Sequence, residues 1–280
     1  MRVIAFQDIL NSVSEALIEM NYHVEEPIIK AFHQSIENEA SPLGKSILND
    51  LILNAEIAAT GKAPICQDTG MVVAFVTYGQ DIHISEGSIS EAIHLGVKKA
   101  YEDGYLRKSV VGNPLKRLKT GDNTPAIIYY DVVPGDVLDI ELAAKGFGSE
   151  NMSATKMLKP SDGKNGVKAF VIDTILKAGS NPCPPIVVGV GIGGTIDKAA
   201  QIAKRALFRE LGEPNADEEI SNLERELLLE INALGIGPQG LGGSTTALAV
   251  HVETYPTHIA GLPVAVNINC HASRHKKISL

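Results

Sequence analysis

The sequence predicts an α+β fold, a helical N-terminal part followed by a mixed or antiparallel sheet with packed helices. Three observations carry that reading. Apolar residues recur at helical spacing as far as Gly61, strand-like runs begin only after it, and beyond it strands and helices mix without strict alternation. At 280 residues, 44% hydrophobic and 21% charged, the chain can bury a substantial core and lacks the composition of a disordered one.

The elements follow in order. Ile9, Val13, Leu17 and Met20 mark a first helix, and 24–36 and 43–59 read as two more, the last stopped by Gly61. A strand is expected over 71–78 and a helix over about 88–105. Residues 126–133 and 137–143 flank Pro134-Gly135-Asp136 and read as a hairpin. A helix over 166–178, a short strand over 186–190 and helices over 196–211 and 217–234 come next. The stripe Ile220, Leu223, Leu227, Ile231 and Leu234 reads as core. Two apolar strands, 246–253 and 263–268, close the chain. No repeat, low-complexity tract or linker interrupts it, so 1–280 reads as a single domain.

Net charge narrows the function. At −8, with no basic run longer than Arg274-His275-Lys276-Lys277, the chain is a poor nucleic-acid binder. Its longest apolar stretch, 185–192, is too short and glycine-rich to span a membrane. The N-terminus acquires Asp8 early and has no signal-peptide apolar region, so a cytoplasmic protein is expected.

Chemistry concentrates around Cys66, Cys183 and Cys270. Wide spacing and the lack of any C-x-x-C leave thioredoxin-type redox chemistry and zinc ribbons unsupported. The competing reading is three inert thiols. Context favours ligands: Cys66 precedes an apolar strand, Cys183 lies in Asn181-Pro-Cys-Pro-Pro185, and Cys270 ends a strand before His271. An iron–sulfur cluster ordinarily takes four thiolates. Three would leave one iron open to water or substrate, a Lewis acid in place of an electron carrier.

Other groups surround these loops. Gln67 and Asp68 follow Cys66, and His258 lies upstream of Cys270; Asp68 before Thr69-Gly70 also suits a simple turn, and His258 a structural histidine. The glycine-rich segments 145–151 and 235–246 can present backbone N–H groups to an anion or merely turn sharply. Arg107, Lys108 and Arg274 are candidate cations for a dicarboxylate. The run Gly189-Val-Gly-Ile-Gly-Gly194 matches a dinucleotide fingerprint, but the acid-ended strand due about 20 residues later is replaced by Arg209-Glu-Leu-Gly-Glu-Pro214. An NAD-dependent oxidoreductase is therefore disfavoured. An electron-transfer cluster protein would need a fourth ligand, such as His271 or Asp68.

Six motifs fall in order: Pro64-Ile-Cys-Gln-Asp-Thr-Gly70, Lys145-Gly-Phe-Gly-Ser-Glu-Asn151, Asn181-Pro-Cys-Pro-Pro185, Gly189-Val-Gly-Ile-Gly-Gly-Thr195, Gly237-Pro-Gln-Gly-Leu-Gly-Gly243 and Asn269-Cys-His-Ala-Ser-Arg-His275. Together they resemble the α subunit of the two-subunit, iron–sulfur class I fumarate hydratases, with the tartrate dehydratase α subunit as a close relative. The resemblance covers essentially the whole chain. It implies a 4Fe-4S cluster on Cys66, Cys183 and Cys270 with one iron not ligated by protein. It further implies dicarboxylate contacts from Gln67, Asp68, Arg107 and Gly146, and proton transfer by Asp68 and His258. The base for the carbon-bound proton, with further Arg and Lys contacts, would come from a smaller β subunit in a heterodimer or heterotetramer. The reaction implied is reversible hydration of fumarate to malate, or dehydration of tartrate. Phe147 departs from the family's glycine loop and would be strained if its φ were positive.

Overall fold

The computed structural model describes residues Met1 to Leu280. The chain opens with β1 (Arg2–Ala5), α1 (Phe6–Tyr22), α2 (Glu26–Asn38) and α3 (Pro42–Gly61). Then come β2 (Met71–Gly79), β3 (Ile82–Ser85), α4 (Ile89–Asp103), β4 (Ile127–Val133) and β5 (Leu138–Lys145). The short α5 (Phe147–Glu150) leads to β6 (Ala154–Leu158), α6 (Gly163–Ala178), β7 (Ile186–Gly193), α7 (Ile196–Ala206) and α8 (Glu218–Ala233). The last strands are β8 (Ala247–Tyr255), β9 (Leu262–Asn269) and β10 (His275–Ser279). The fold is α+β, helical at the N-terminus and mixed thereafter. No helix is long and apolar enough to cross a membrane.

Two compact units form. The first comprises Met1–Glu25, Asn54–Phe147 and Arg274–Leu280, and the second Glu26–Leu53 and Gly148–Ser273. In the first, a four-stranded sheet runs β10-β5-β2-β4, and β1 pairs with β3 in parallel. Helix α1 offers Ile9, Val13, Ala16, Leu17 and Met20 to the same core as Ala92, Ile93, Val97, Ala100 and Tyr101 of α4. Helix α4 begins where the Ser88 side chain caps the Glu91 N–H and ends at Gly104.

The expected hairpin does not form: β4 and β5 exist but are not neighbours. Strand β2 lies between them, parallel to β4 and antiparallel to β5. The reason is burial. Val72 to Val76 are buried on both faces, which demands a central position, whereas β4 is half exposed and suits an edge. The 134–136 turn crosses the end of β2, with Gly79 N donating to Val137 O at 2.8 Å and Asp81 N to Gly135 O at 2.9 Å.

The second unit holds a sheet in the order β6-β9-β7-β8, antiparallel except for the β7–β8 pair. Helices α6 and α8 pack Val167, Val171, Ile175, Leu223, Leu227 and Ile231 into its core, so the apolar stripe of α8 is internal. Asp217 caps α8 through the Glu219 and Ile220 N–H groups. The dinucleotide-like glycines lie within β7 and at its end, where they serve packing. A Cβ at Gly189 would stand 2.1 Å from the Ala203 carbonyl oxygen, and one at Gly191 would be 2.1 Å from that of Ala199, so α7 rests on bare backbone.

Glu39, 2% exposed between α2 and α3, fastens this unit. Its carboxylate accepts from Ser41 N (2.9 Å), Ser244 N (2.8 Å) and Thr245 N (2.8 Å). The glycine-rich segment 235–246 thus does end in an anion-binding backbone, and the anion is the protein's own. Burial pushes the Glu39 pKa up, but these hydrogen bonds outweigh it and hold the carboxyl at about 2.

Two outcomes are expected. Glu39→Gln should lower stability at neutral pH by on the order of 1.5–3 kcal/mol. Because the folded pKa lies below the ordinary 4.5, the gap between wild type and variant should be complete above pH 4.5 and close as pH falls toward about 2. Urea midpoints across that range measure it. Gly191→Ala should cost about 1–3 kcal/mol by overpacking α7 against β7, seen as a lower midpoint at unchanged slope.

Candidate functional site

In the first unit, Cys66 to Gly70 form a turn joining α3 to β2, and buried polar groups hold its main chain. Tyr101 Oη donates to the Thr69 carbonyl at 2.6 Å and contacts that of Gly70 at 3.0 Å. Burial pushes the Tyr101 pKa up, so the hydroxyl remains a donor. Asn123, fully buried with φ 64°, donates to Gly70 O at 3.2 Å. Arg274, 2% exposed, donates through Nη1 to Asp68 O at 2.8 Å and to Asn21 Oδ1 at 3.1 Å. Asn21 O in turn accepts from Ile65 N at 2.9 Å.

This scaffold fixes the Asp68 carboxylate. Oδ1 accepts from Gly70 N at 3.0 Å and Oδ2 from Phe147 N at 2.8 Å. Phe147 is the first residue of α5 and its φ is not positive, so the strain a left-handed position would impose is absent. Gly146 faces Asp68: a Cβ there would lie 3.3 Å from Oδ2 and 3.4 Å from Arg274 Nη2. Cys66 Sγ lies 3.5 Å from Gln67 Oε1 and accepts from Asp68 N at 3.4 Å. The exposed Arg107 joins through its carbonyl, which accepts from Thr69 Oγ1 at 3.1 Å. Cys66, Gln67, Asp68, Arg107 and Gly146 are therefore brought together.

In the second unit, Cys183 precedes β7 and Cys270 follows β9, and because these strands are antiparallel both cysteines lie at the same end of the sheet. His271 bridges them, its N and Nδ1 lying 3.4 Å and 3.0 Å from the Cys183 carbonyl. Gln239 donates to Pro184 O through both N and Nε2, at 2.7 Å each, and its Nε2 lies 3.2 Å from His271 Nδ1. Cys183 and Gln239 both adopt left-handed backbone, φ 55° and 52°. Such residues persist only where their surroundings over-determine them, and they concentrate at functional sites.

His258 is not brought to this pair. It follows β8 at the other end of the sheet, where the exposed ring accepts from Ala260 N at 3.2 Å and lines a cleft of about 410 Å³ with Ile192, Leu223 and Leu262. The eight residues of β9 separate it from Cys270, and at about 3.3 Å per residue that is roughly 25 Å.

The donor chemistry fits an iron–sulfur cluster. All three cysteines are outside disulfides and at least partly accessible, which leaves their thiols available as ligands. The Asp68 N–H directed at Cys66 Sγ is the kind of hydrogen bond that stabilises a ligating thiolate and tunes a cluster.

Sequence reading missed the supports. Asn21, Tyr101 and Asn123 sit among apolar or loop residues with no motif to mark them; only polarity inside a predicted apolar helix face hinted at Asn21. Gln239 lay within a recognised glycine-rich segment but was not singled out.

The description "Fumarate hydratase (Fumerase)" belongs to a family whose model matches residues 10–279. The chain is 48% identical over 276 residues to the "Putative L(+)-tartrate dehydratase subunit alpha" of Methanocaldococcus jannaschii, covering 96% of each chain. It is 33% identical over 251 residues to the L(+)-tartrate dehydratase subunit alpha of Escherichia coli strain UTI89, covering 88% of this chain and 82% of that one. With the family model spanning residues 10–279 and relatives of 48% and 33% identity, this chain belongs to the fumarate hydratase (Fumerase) family of hydro-lyases.

Proposed function

We propose that this chain is the α subunit of an iron–sulfur hydro-lyase that reversibly hydrates fumarate to malate in the cytoplasm, together with a smaller β subunit. The observation that carries the reading is the Cys66–Gly70 turn, where a thiol and a carboxylate fixed by two main-chain N–H groups occupy one rigid support. Cys66, Cys183 and Cys270 would hold the cluster. A 4Fe-4S cluster with one iron free of protein ligands supplies, when bound, a Lewis acid that makes hydroxide a better leaving group.

The chain's own residues divide the remaining work. Asp68 carries the oxygen-side proton, since each of its oxygens spends one lone pair on a backbone donor and keeps another for substrate. Gln67 and Arg107 flank it and orient the diacid, and Gly146 lies beside the carboxylate. The base that takes the carbon-bound proton belongs to the β subunit. His258 enters this reading only from a second copy of the chain, because its own sheet holds it a strand's length from Cys270.

A second reading is dehydration of L(+)-tartrate, favoured by the names of the two relatives. The substrates differ by one hydroxyl, a difference that a pocket group able to hydrogen-bond it reads strongly.

The α–β complex, reconstituted anaerobically, is expected to turn over malate and fumarate faster than tartrate; the reverse order selects the second reading. Cys183→Ser should abolish turnover and lower bound iron and sulfide. Full activity in a cluster-free preparation would sink the Lewis-acid role.

A further inference from the structure

In the first unit, residues 105–120 form an arm between α4 and β4 whose charge opposes that of the molecule. It holds Arg107, Lys108, Lys116, Arg117 and Lys119 and no Asp or Glu, in a chain of net charge −8. None of the five has an ion pair within the chain. Exposed Lys and Arg are ordinarily just solvated, but these share the arm with apolar side chains turned out to water. Tyr105 is 88% exposed, Leu115 90% and Leu118 72%. Nor is the arm loose. Leu106 and Val110 are buried at its root. Gly112 N donates to Leu118 O at 2.9 Å and Thr120 N to Val110 O at 3.0 Å. At the tip, Asn113 Oδ1 accepts from Leu115 N at 2.9 Å and Lys116 N at 2.8 Å. Two leucines are thus held in water on a hydrogen-bonded frame, an ordering that costs entropy and buries nothing within this chain. Apolar anchors with a charged surround on a preorganised support have the anatomy of a protein interface.

The root of the arm says which partner it meets. Arg107 O accepts from Thr69 Oγ1 at 3.1 Å. Asn123, which donates to Gly70 O, accepts through Oδ1 from Ser109 N at 2.7 Å and Val110 N at 3.1 Å. The arm therefore springs from the Cys66–Gly70 turn, which a subunit completing the site beside Asp68 must approach. We infer that residues 105–120 are the docking arm for the β subunit. Leu115 and Leu118 enter an apolar pocket of that partner, and Lys116, Arg117 and Lys119 face carboxylates around it. The inference rests on the two-subunit hydro-lyase reading and gives its partner a landing site and an acidic docking face.

The test uses the full-length holo chain, prepared anaerobically, and the separate β subunit. Labelled wild-type chain and an unlabelled variant compete for limiting β subunit, and stopped-flow mixing gives association rates at low and high salt. Leu115→Ser with Leu118→Ser should compete about 100-fold less well than wild type, each buried leucine being worth about tenfold. Lys116→Glu with Lys119→Glu should slow association about 10-fold at low salt and flatten its salt dependence. Leu229→Ser, on the exposed side of α8 at 73% exposure, should compete like wild type. With β subunit in saturating excess, the arm variants should keep the wild-type kcat for malate. Competition within twofold of wild type by both arm variants would overturn the docking arm. So would self-association of the wild-type chain, or its binding to phosphatidylserine vesicles, that the arm variants lose while still competing normally for β subunit. A wild-type chain that binds no β subunit at all would instead remove the two-subunit reading beneath it.

Discussion

The Tyr101 hydroxyl, buried beneath the Cys66–Gly70 turn, is the contact on which that turn depends. It meets two successive carbonyls, those of Thr69 and Gly70, and Asn123 adds a second donor to the latter. Without those donors, two buried carbonyls would be unsatisfied, each costing roughly 1–3 kcal/mol. The turn therefore has one favourable conformation, and Cys66 and Asp68 inherit it. Arg274 adds the only charged member of the scaffold, and it reaches the turn from just before β10 at the far end of the chain.

The second unit reaches rigidity by other means. Cys183 lies between prolines in a left-handed conformation that a free peptide avoids, and the Pro184 carbonyl accepts twice from Gln239, itself left-handed. Gln239 occupies the loop whose far end Glu39 clamps through Ser244 and Thr245. The carboxylate of Glu39 thus stabilises a strained loop several residues from the cysteine it supports. This is a common bargain: local strain at a site, offset by charge-assisted hydrogen bonds outside it.

Most of the elements were legible because their signals are local. Helix α1 declares itself by an apolar repeat, α4 by Ser88 and Gly104, and β2 by an unbroken apolar run. What was not legible is non-local. The Pro134-Gly135-Asp136 turn looks like a hairpin, yet the strand that separates its arms comes from some fifty residues earlier in the sequence. Short strands such as β1, β3, β6 and β10 carry too few residues to show a period. The site divides the same way. Cys66, Gln67 and Asp68 were readable as neighbours, while Asn21, Tyr101 and Asn123 became part of it only through folding. His258 is marked in the sequence only by its place upstream of Cys270 and by the resemblance, and the fold shows that β9 lies between the two.

Phe147 shows why the backbone decides what this site tolerates. A bulky residue stands where the resemblance leads one to expect glycine, beside the Asp68 carboxylate. Yet the contact with Asp68 is made by the main-chain N–H, which phenylalanine supplies as well as glycine does. The residue is 46% exposed and its φ is not positive, so neither sterics nor strain opposes phenylalanine there. Gly146, one residue earlier, is the opposite case. Its φ is not positive, but a methyl there would press on Asp68 Oδ2 at 3.3 Å and touch Arg274 Nη2 at 3.4 Å. Two adjacent glycine positions thus carry different constraints, one conformational and relaxed here, the other spatial and kept.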